Sequence, residues 1–454
     1  MLKKKSLLVS SCLLLLIVML TVGTLISHSP ASVHGQNAGD WPTFMNNTSR
    51  TGTNPFETTI TAGTASNLHL AWKYYTGGPI EASPVTADGV LYIGSWDGYE
   101  YALNASNGTL LWKQFLGINP ATRRCPAKGI TSTATVVNGV VYVGGGDGNL
   151  YALNTADGSV IWKTLIAPTP SYIFASPLVY NNLLYIGVAS SCEPPEVQGK
   201  FFALNLGDGT IAASISLVKD GDQGATVWSS PTVDPTTNTI YIATGNNQGF
   251  SLSKQHNAES ILAMDPSTLA IKDHWQIPLA QHIPDGDFGA TPTLFDYNNN
   301  HYIGVLNKNG IYYVLDRTNL VQGPVWEQTL SSNSEQVNGD NVSSSCYNNG
   351  VVYTGSAGGV NNGQPYGGTV GAFTADTGAP LWFFQIPGKI LSSVTCTSDL
   401  VVDNQAQAVE VRSAATGNIL FSYATKKEIF ATSIISNGYL YTASSDKAVY
   451  AFTV

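Results

Sequence analysis

The sequence predicts an all-β fold, an eight-bladed β-propeller whose last blade is closed by a strand from the N-terminal side. Three observations predict it. One phrase recurs along the chain, each copy reads as short strands joined by hairpins, and the final copy stops one strand short. A strand of the missing kind lies before the first copy, at Leu68-His69-Leu70-Ala71-Trp72.

The phrase is clearest in its first two copies. Ala82-Ser83-Pro84-Val85 leads through Asp88-Gly89 to Val90-Leu91-Tyr92-Ile93-Gly94, then Tyr101-Ala102-Leu103-Asn104, Asn107-Gly108 and Trp112. It returns at Val140-Val141-Tyr142-Val143-Gly144, Tyr151-Ala152-Leu153-Asn154, Asp157-Gly158 and Trp162. Further copies centre on Tyr185, Tyr241, Tyr302, Tyr353, Val402 and Tyr441. Their spacing of roughly 50 residues is that of propeller blades.

Alternation such as Val140, Tyr142, Gly144 has the strand period of two. Asp88-Gly89, Asn138-Gly139, Asn349-Gly350 and Asn437-Gly438 are hairpin turns, where φ > 0 is easiest. Gly108, Gly158, Gly209, Gly378 and Gly417 share one offset before the last strand, which fits a left-handed turn residue. The repeated Trp is expected to wedge between adjacent blades, burying a large flat side chain. The last copy ends at Ala451-Phe452-Thr453-Val454 without a Gly turn or closing Trp. The strand at residues 68–72 is therefore expected to complete it, because ring closure removes exposed sheet edges.

Composition agrees with an exported all-β chain. Charged residues are only 11% of 454, and the 45 Gly and 22 Tyr suit many turns and half-buried strands. The formal net charge of −9 opposes binding to nucleic acid or anionic lipid. Lys3, Lys4 and Lys5 precede an apolar run from Leu7 to Ile26, followed by Ser27, His28, Ser29 and Pro30. This is the pattern of a signal peptide, and the run is also long enough to anchor the chain in a membrane. Residues 1–35 are assigned to that segment and 36–454 to the propeller, on an extracellular, cell-surface or periplasmic protein. Cys125, Cys192, Cys346 and Cys396 then suggest disulfides. Three pairings are possible; Cys125–Cys192 and Cys346–Cys396 join neighbouring repeats at similar depth. No Cys-x-x-Cys-His occurs to attach a c-type haem, the histidines lack zinc spacing, and no Gly-x-Ser-x-Gly or phosphate loop appears.

The repeats resemble the quinoprotein propeller family over roughly residues 40 to 454. That family includes pyrroloquinoline quinone (PQQ) dehydrogenases and non-catalytic scaffolds such as the outer-membrane barrel-assembly lipoprotein. Asp40-Trp41-Pro42-Thr43-Phe44 resembles the family's approach to blade one. Three stretches are similar to the dehydrogenase branch, polyvinyl-alcohol dehydrogenases above all. They are Ala225-Thr226-Val227-Trp228-Ser229-Ser230-Pro231 with Thr244-Gly245-Asn246; Asp285-Gly286-Asp287-Phe288-Gly289-Ala290; and Asn307-Lys308-Asn309-Gly310 running into Tyr313-Val314-Leu315-Asp316-Arg317.

The resemblance implies a dehydrogenase that oxidises an alcohol or polyol using PQQ and Ca²⁺. PQQ, a planar tricarboxylate quinone, needs an apolar floor and cations. Trp228 would be the floor, Thr226 a hydrogen-bond donor, and Lys308 and Lys128 the cations. Ca²⁺ takes oxygen ligands, for which Asn246, Asp287 and Glu193 or Glu196 are candidates. Asp287 would also act as general base. An enzyme of this kind, with no haem domain, needs a separate electron acceptor. Each residue also has a plainer use: Trp228 as a packing aromatic, Asn246 and Lys308 as turn residues, Asp287 as a loop cap. Two departures stand out. The adjacent cysteines that often form a disulfide over the cofactor are absent, and Lys128 stands before Gly129 where an arginine is frequent. The alternative is a non-catalytic scaffold that displays loops to a protein or polymer.

Overall fold

The computed structural model describes residues 37–193, 195–247, 252–332, 340–361 and 363–454. The N-terminal segment assigned to export, residues 1–35, lies outside them. Eight antiparallel sheets follow one another along the chain. Seven are built consecutively, the first from Val85–Ala87, Val90–Gly94, Tyr99–Asn104 and Leu110–Phe115, and the seventh ending with Ile419–Ala424. The eighth joins Ile434–Ser436, Tyr439–Ala443 and Ala448–Thr453 to His69–Tyr75 from the N-terminal side. That strand runs antiparallel to the last one, with His69 opposite Thr453 and Tyr75 opposite Ala448. The orphan strand read at residues 68–72 does close the ring.

The recurring phrase maps onto each blade in the same way. The hairpin residues Asp88, Asn138, Asn349 and Asn437 take φ between 47° and 51°, each followed by a glycine with positive φ. In blades one to seven a register shift falls at the second residue pair of the Ala-Leu-type step, as between Ala102 and Leu103. This bulge adds twist where the outermost strand must turn to the neighbouring blade. The tryptophan opposite the bulge crosses the seam. Trp72, Trp112, Trp162, Trp326 and Trp382 donate their indole N–H to backbone carbonyls of the next blade at Ala105, Thr155, Leu206, Ala375 and Ala414. Their rings cover Gly108, Gly158, Gly209, Gly378 and Gly417, where any Cβ would strike the indole. The repeated Gly and Trp are therefore two halves of one inter-blade contact.

Both disulfides expected from the sequence are present, Cys125–Cys192 and Cys346–Cys396. The second joins the innermost strands of blades six and seven across a separation of 50 residues. The double variant Cys346→Ala, Cys396→Ala is expected to lose about 2–4 kcal/mol, because loop closure no longer restrains the unfolded chain. A shifted urea midpoint measures it; an unchanged midpoint would show that the blades hold this seam unaided.

Two further features surround the axis. A hydroxyl residue precedes the innermost strand of every blade: Ser83, Thr133, Ser176, Ser230, Thr291, Ser344, Ser393 and Thr432. The backbone N–H of seven of them donates to the hydroxyl of the next around the ring, at 2.9–3.3 Å, and the 432-to-83 link spans the seam between the last blade and the first. Among the described residues this makes seven links, and the gap falls between Ser344 and Ser393. On one side of this belt the segment 39–54 runs round the axis and bonds the innermost strands through Trp41–Thr86, Pro42–Val136, Thr48–Val233, Ser49–Leu294, Thr51–Tyr347 and Gly52–Cys396. It closes that end of the axis, so the other end carries the open cavity.

Candidate functional site

The open end of the axis holds a cavity of about 440 Å³. Six residues singled out in the sequence line it: Lys128, Glu193, Thr226, Trp228, Asp287 and Lys308. They arrive from different blades. Lys128 lies between blades one and two, Glu193 follows the second strand of blade three, and Thr226 and Trp228 lie on the segment entering blade four. Asp287 precedes blade five, and Lys308 sits in the hairpin between Asn300–Leu306 and Ile311–Asp316. Asn246 stands behind this wall; its backbone N–H donates to Asp287 Oδ1 at 2.6 Å. Glu196 is not among the cavity residues, so of the two glutamates bracketing that place it is Glu193 that faces the cavity.

The centre of the site is an ion pair. Lys308 Nζ donates to Asp287 Oδ2 at 2.6 Å and to both carboxylate oxygens of Asp285 at 3.0 Å. Both chain directions fix the pair, since the Lys308 N–H donates to the Asp287 carbonyl at 3.0 Å and Asn307 Nδ2 donates to the Gly286 carbonyl at 2.7 Å. Burial opposes the Lys308 charge, but Asp287 and Asp285 more than offset it and hold the ammonium above its ordinary value. Burial pushes the Asp287 carboxyl up, with Lys308 pulling against it and Asp285 adding to it. A carboxylate that is accessible to the cavity and displaced toward neutrality suits a general base.

Trp228 lies against the backbone of Gly289, where a Cβ would clash with the six-membered ring. The Lys308 ammonium is 5.3 Å from the Trp228 ring centroid. Gly245 serves a related purpose: a Cβ there would come within 2.7 Å of Asp287 Oδ1 and 2.8 Å of Thr226 Oγ1. The absent side chain is what lets these two oxygens share one corner. Ala225, buried at φ 49°, holds the turn into Thr226 in a conformation that costs an L-residue energy.

Sequence reasoning missed four components. Glu81 lines the cavity, and burial raises it to about 7 against the pull of Lys128; Lys128 is itself lowered by burial. Asp285, quoted only as part of a motif, is a second partner of Lys308. The Cys125–Cys192 disulfide forms part of the cavity wall, so although adjacent cysteines are absent, a disulfide between distant cysteines borders the same space. Finally, Glu259 is buried beside Gly286 and meets His282 Nδ1 at 2.9 Å, which braces the Asp285–Asp287 loop from behind. None of these lies in a motif that recurs, so no periodic signal marked them. Among the described residues no three His, Cys, Asp or Glu side chains are grouped as a metal site.

The axial cavity of this eight-bladed ring thus presents a tryptophan face, two lysines and a buried carboxylate. The chain matches the family model described as Outer membrane protein assembly factor BamB over residues 41–190 and 133–269. It matches the model described as Glucose/ethanol/alcohol dehydrogenase, beta-propeller domain, over residues 216–345. The chain belongs to the PQQ-repeat family of quinoprotein β-propellers.

It is 23% identical to polyvinylalcohol dehydrogenase from Sphingopyxis sp. (strain 113P3) over 59% of this chain and 47% of that one. It is 28% identical to quinohemoprotein alcohol dehydrogenase from Comamonas testosteroni over 62% of this chain and 45% of that one. The chain thus spans about half the length of the curated relatives it matches. The solved structure of quinohemoprotein alcohol dehydrogenase ADHIIG from Pseudomonas putida HK5 has a TM-score of 0.77 at 20% identity, covering 93% of this chain and 82% of that one. That likeness supports the fold.

Proposed function

We propose that the protein is an exported, PQQ-dependent alcohol dehydrogenase that oxidises an alcohol or polyol and passes the electrons to a separate acceptor. The observation that carries this reading is the Asp287–Lys308 pair beside the Trp228 face in an axial cavity. The residues fit a planar tricarboxylate. Trp228 offers an apolar floor, Lys128 and Lys308 stand as cations, and Thr226 offers a hydroxyl. Oxygen donors of the kind Ca²⁺ takes are present in Glu193, Asp287 and the Asn246 amide. When bound, PQQ supplies the two-electron acceptor.

The protein's own part is positioning and proton transfer. Asp287 takes the hydroxyl proton of the alcohol as its carbon is oxidised. Lys308 keeps that carboxylate turned into the cavity, and Asp285 keeps Lys308 in place. The closed axial end and the disulfide-bordered wall limit water at the reacting carbon. Export is supported by the lysine-led apolar run at the N-terminus.

Reconstitution tests the reading. Purified protein with PQQ and Ca²⁺ is expected to show quenched tryptophan fluorescence and alcohol-dependent dye reduction. Trp228→Ala is expected to weaken PQQ binding about 10- to 100-fold, from the lost apolar burial and ring stacking. If neither quenching nor dye reduction appears with any alcohol, the cofactor reading fails. The repeats would then serve a scaffold displaying loops to a protein or polymer.

A further inference from the structure

Beneath the Trp228 cavity lies a second, deeper chamber of about 170 Å³, open to the first through shared walls at Glu81, Phe174 and Trp228 and floored by Phe44. Its wall is the axial belt: all eight belt hydroxyl residues line it. Each is at least 95% buried. A hydroxyl carries one donor and two acceptor lone pairs. In the belt, the hydroxyls of seven of the eight residues already accept a backbone N–H from the preceding blade. Among the described residues, no protein oxygen accepts the remaining O–H of these groups. The belt therefore turns a circle of buried, unspent donors toward one axial space.

A cation lies behind the floor of the same space without lining it. Arg50 is fully buried and donates to Thr43 Oγ1 at 2.7 Å, the Phe44 carbonyl at 2.6 Å, and the Pro177 and Pro231 carbonyls at 3.1 Å. Pro177 and Pro231 directly follow the belt residues Ser176 and Ser230, and Phe44 is the chamber floor. All four partners are neutral. Burial lowers Arg50 to about 9, which still leaves it charged at neutral pH, and no carboxylate among the described residues offsets it. A ring of hydroxyl donors around the space, with an uncompensated cation behind its floor, creates a positive potential there.

We propose that this chamber is a binding site for a small inorganic anion of the halide class, held by the belt hydroxyls above Arg50. The volume takes such an ion with several waters, at roughly 10–15 Å³ per water in this measure. Glu81, at the rim, is the acidic group that opposes the ion, and its own displacement toward neutrality weakens that opposition. The site borders the proposed cofactor cavity at Trp228 but uses none of Thr226, Asp287 or Lys308.

The test uses the whole purified protein without added PQQ. Crystals soaked in bromide are expected to show an anomalous peak on the axis, within hydrogen-bonding distance of the belt hydroxyls. Thermal unfolding in chloride, with ionic strength held constant by a bulky organic anion, is expected to give a midpoint that rises and saturates. Glu81→Gln removes the opposing charge and is expected to lower the half-saturating chloride concentration roughly tenfold. Thr291→Val removes one donor and is expected to raise it about fivefold; it also removes an acceptor of the belt, so Glu81→Gln is the variant on which the proposal stands. Water alone on the axis at saturating bromide overturns the proposal. So does a chloride response that Glu81→Gln leaves unchanged.

Discussion

Asp287→Asn is expected to lower the alcohol-oxidation kcat about 10³-fold while leaving PQQ affinity within a few-fold of the parent. The asparagine keeps the volume of the side chain and can still accept the Asn246 N–H through its amide oxygen. Lys308 keeps its two bonds to Asp285, so the ammonium is not left buried without a partner. What the variant loses is the group that can take a proton. Fluorescence quenching by PQQ separates binding from turnover. If the variant turns over at more than a tenth of the parent rate, Asp287 is not the base.

The pH dependence follows from the same carboxyl. Burial displaces Asp287 above the ordinary aspartate range, and only the ionised form can accept the proton. Activity should therefore fall as pH drops, with its acid limb above the range of an exposed aspartate. Removing the aid that Lys308 gives the carboxylate should move this limb further up. Lys308→Met is expected to shift the acid limb to higher pH, in addition to lowering kcat.

How much of this was readable from the chain depended on repetition. Trp72 and Gly108 could be read because the same pair recurs at fixed offsets elsewhere, and a large aromatic facing a residue without a Cβ leaves a periodic mark. The belt hydroxyls also recur, four of the eight before a proline, as Ser83-Pro84, Ser176-Pro177, Ser230-Pro231 and Thr291-Pro292. A Ser or Thr before Pro has an ordinary local explanation, so the sequence alone assigns them no shared role. Their role is visible only once eight blades face one axis. Site residues follow the opposite logic. Asp287, Lys308 and Trp228 each occur once, and were found through family resemblance rather than period. Glu81 and Glu259 have neither kind of signal, because what displaces their titration is burial that the fold supplies. Glu193 and Glu196 differ by three positions in a proline-rich loop, and only the path of that loop separates them.

The largest stability effect is expected at the seam where the ring closes. Trp72→Ala should destabilise the protein by about 3–5 kcal/mol, as for other buried tryptophans truncated in a packed core. The ring is 9% exposed, packs 6.0 Å from Tyr441, and donates its indole N–H to the Ala105 carbonyl at 3.0 Å. Truncation also uncovers Gly108, held at φ 71° under the indole. The same substitution at Trp112 removes an equivalent contact between blades one and two. There, however, the chain itself still connects the two blades. At Trp72 the contact joins blade one to a blade assembled from both ends of the propeller, so its loss favours opening of the whole ring and exposes two sheet edges. Trp72→Ala is therefore expected to unfold faster than Trp112→Ala at similar equilibrium cost, and to aggregate from the opened state. Urea unfolding kinetics on the two variants measure this. Equal unfolding rates would mean that strand pairing between His69–Tyr75 and Ala448–Thr453, rather than the tryptophan, keeps the propeller shut.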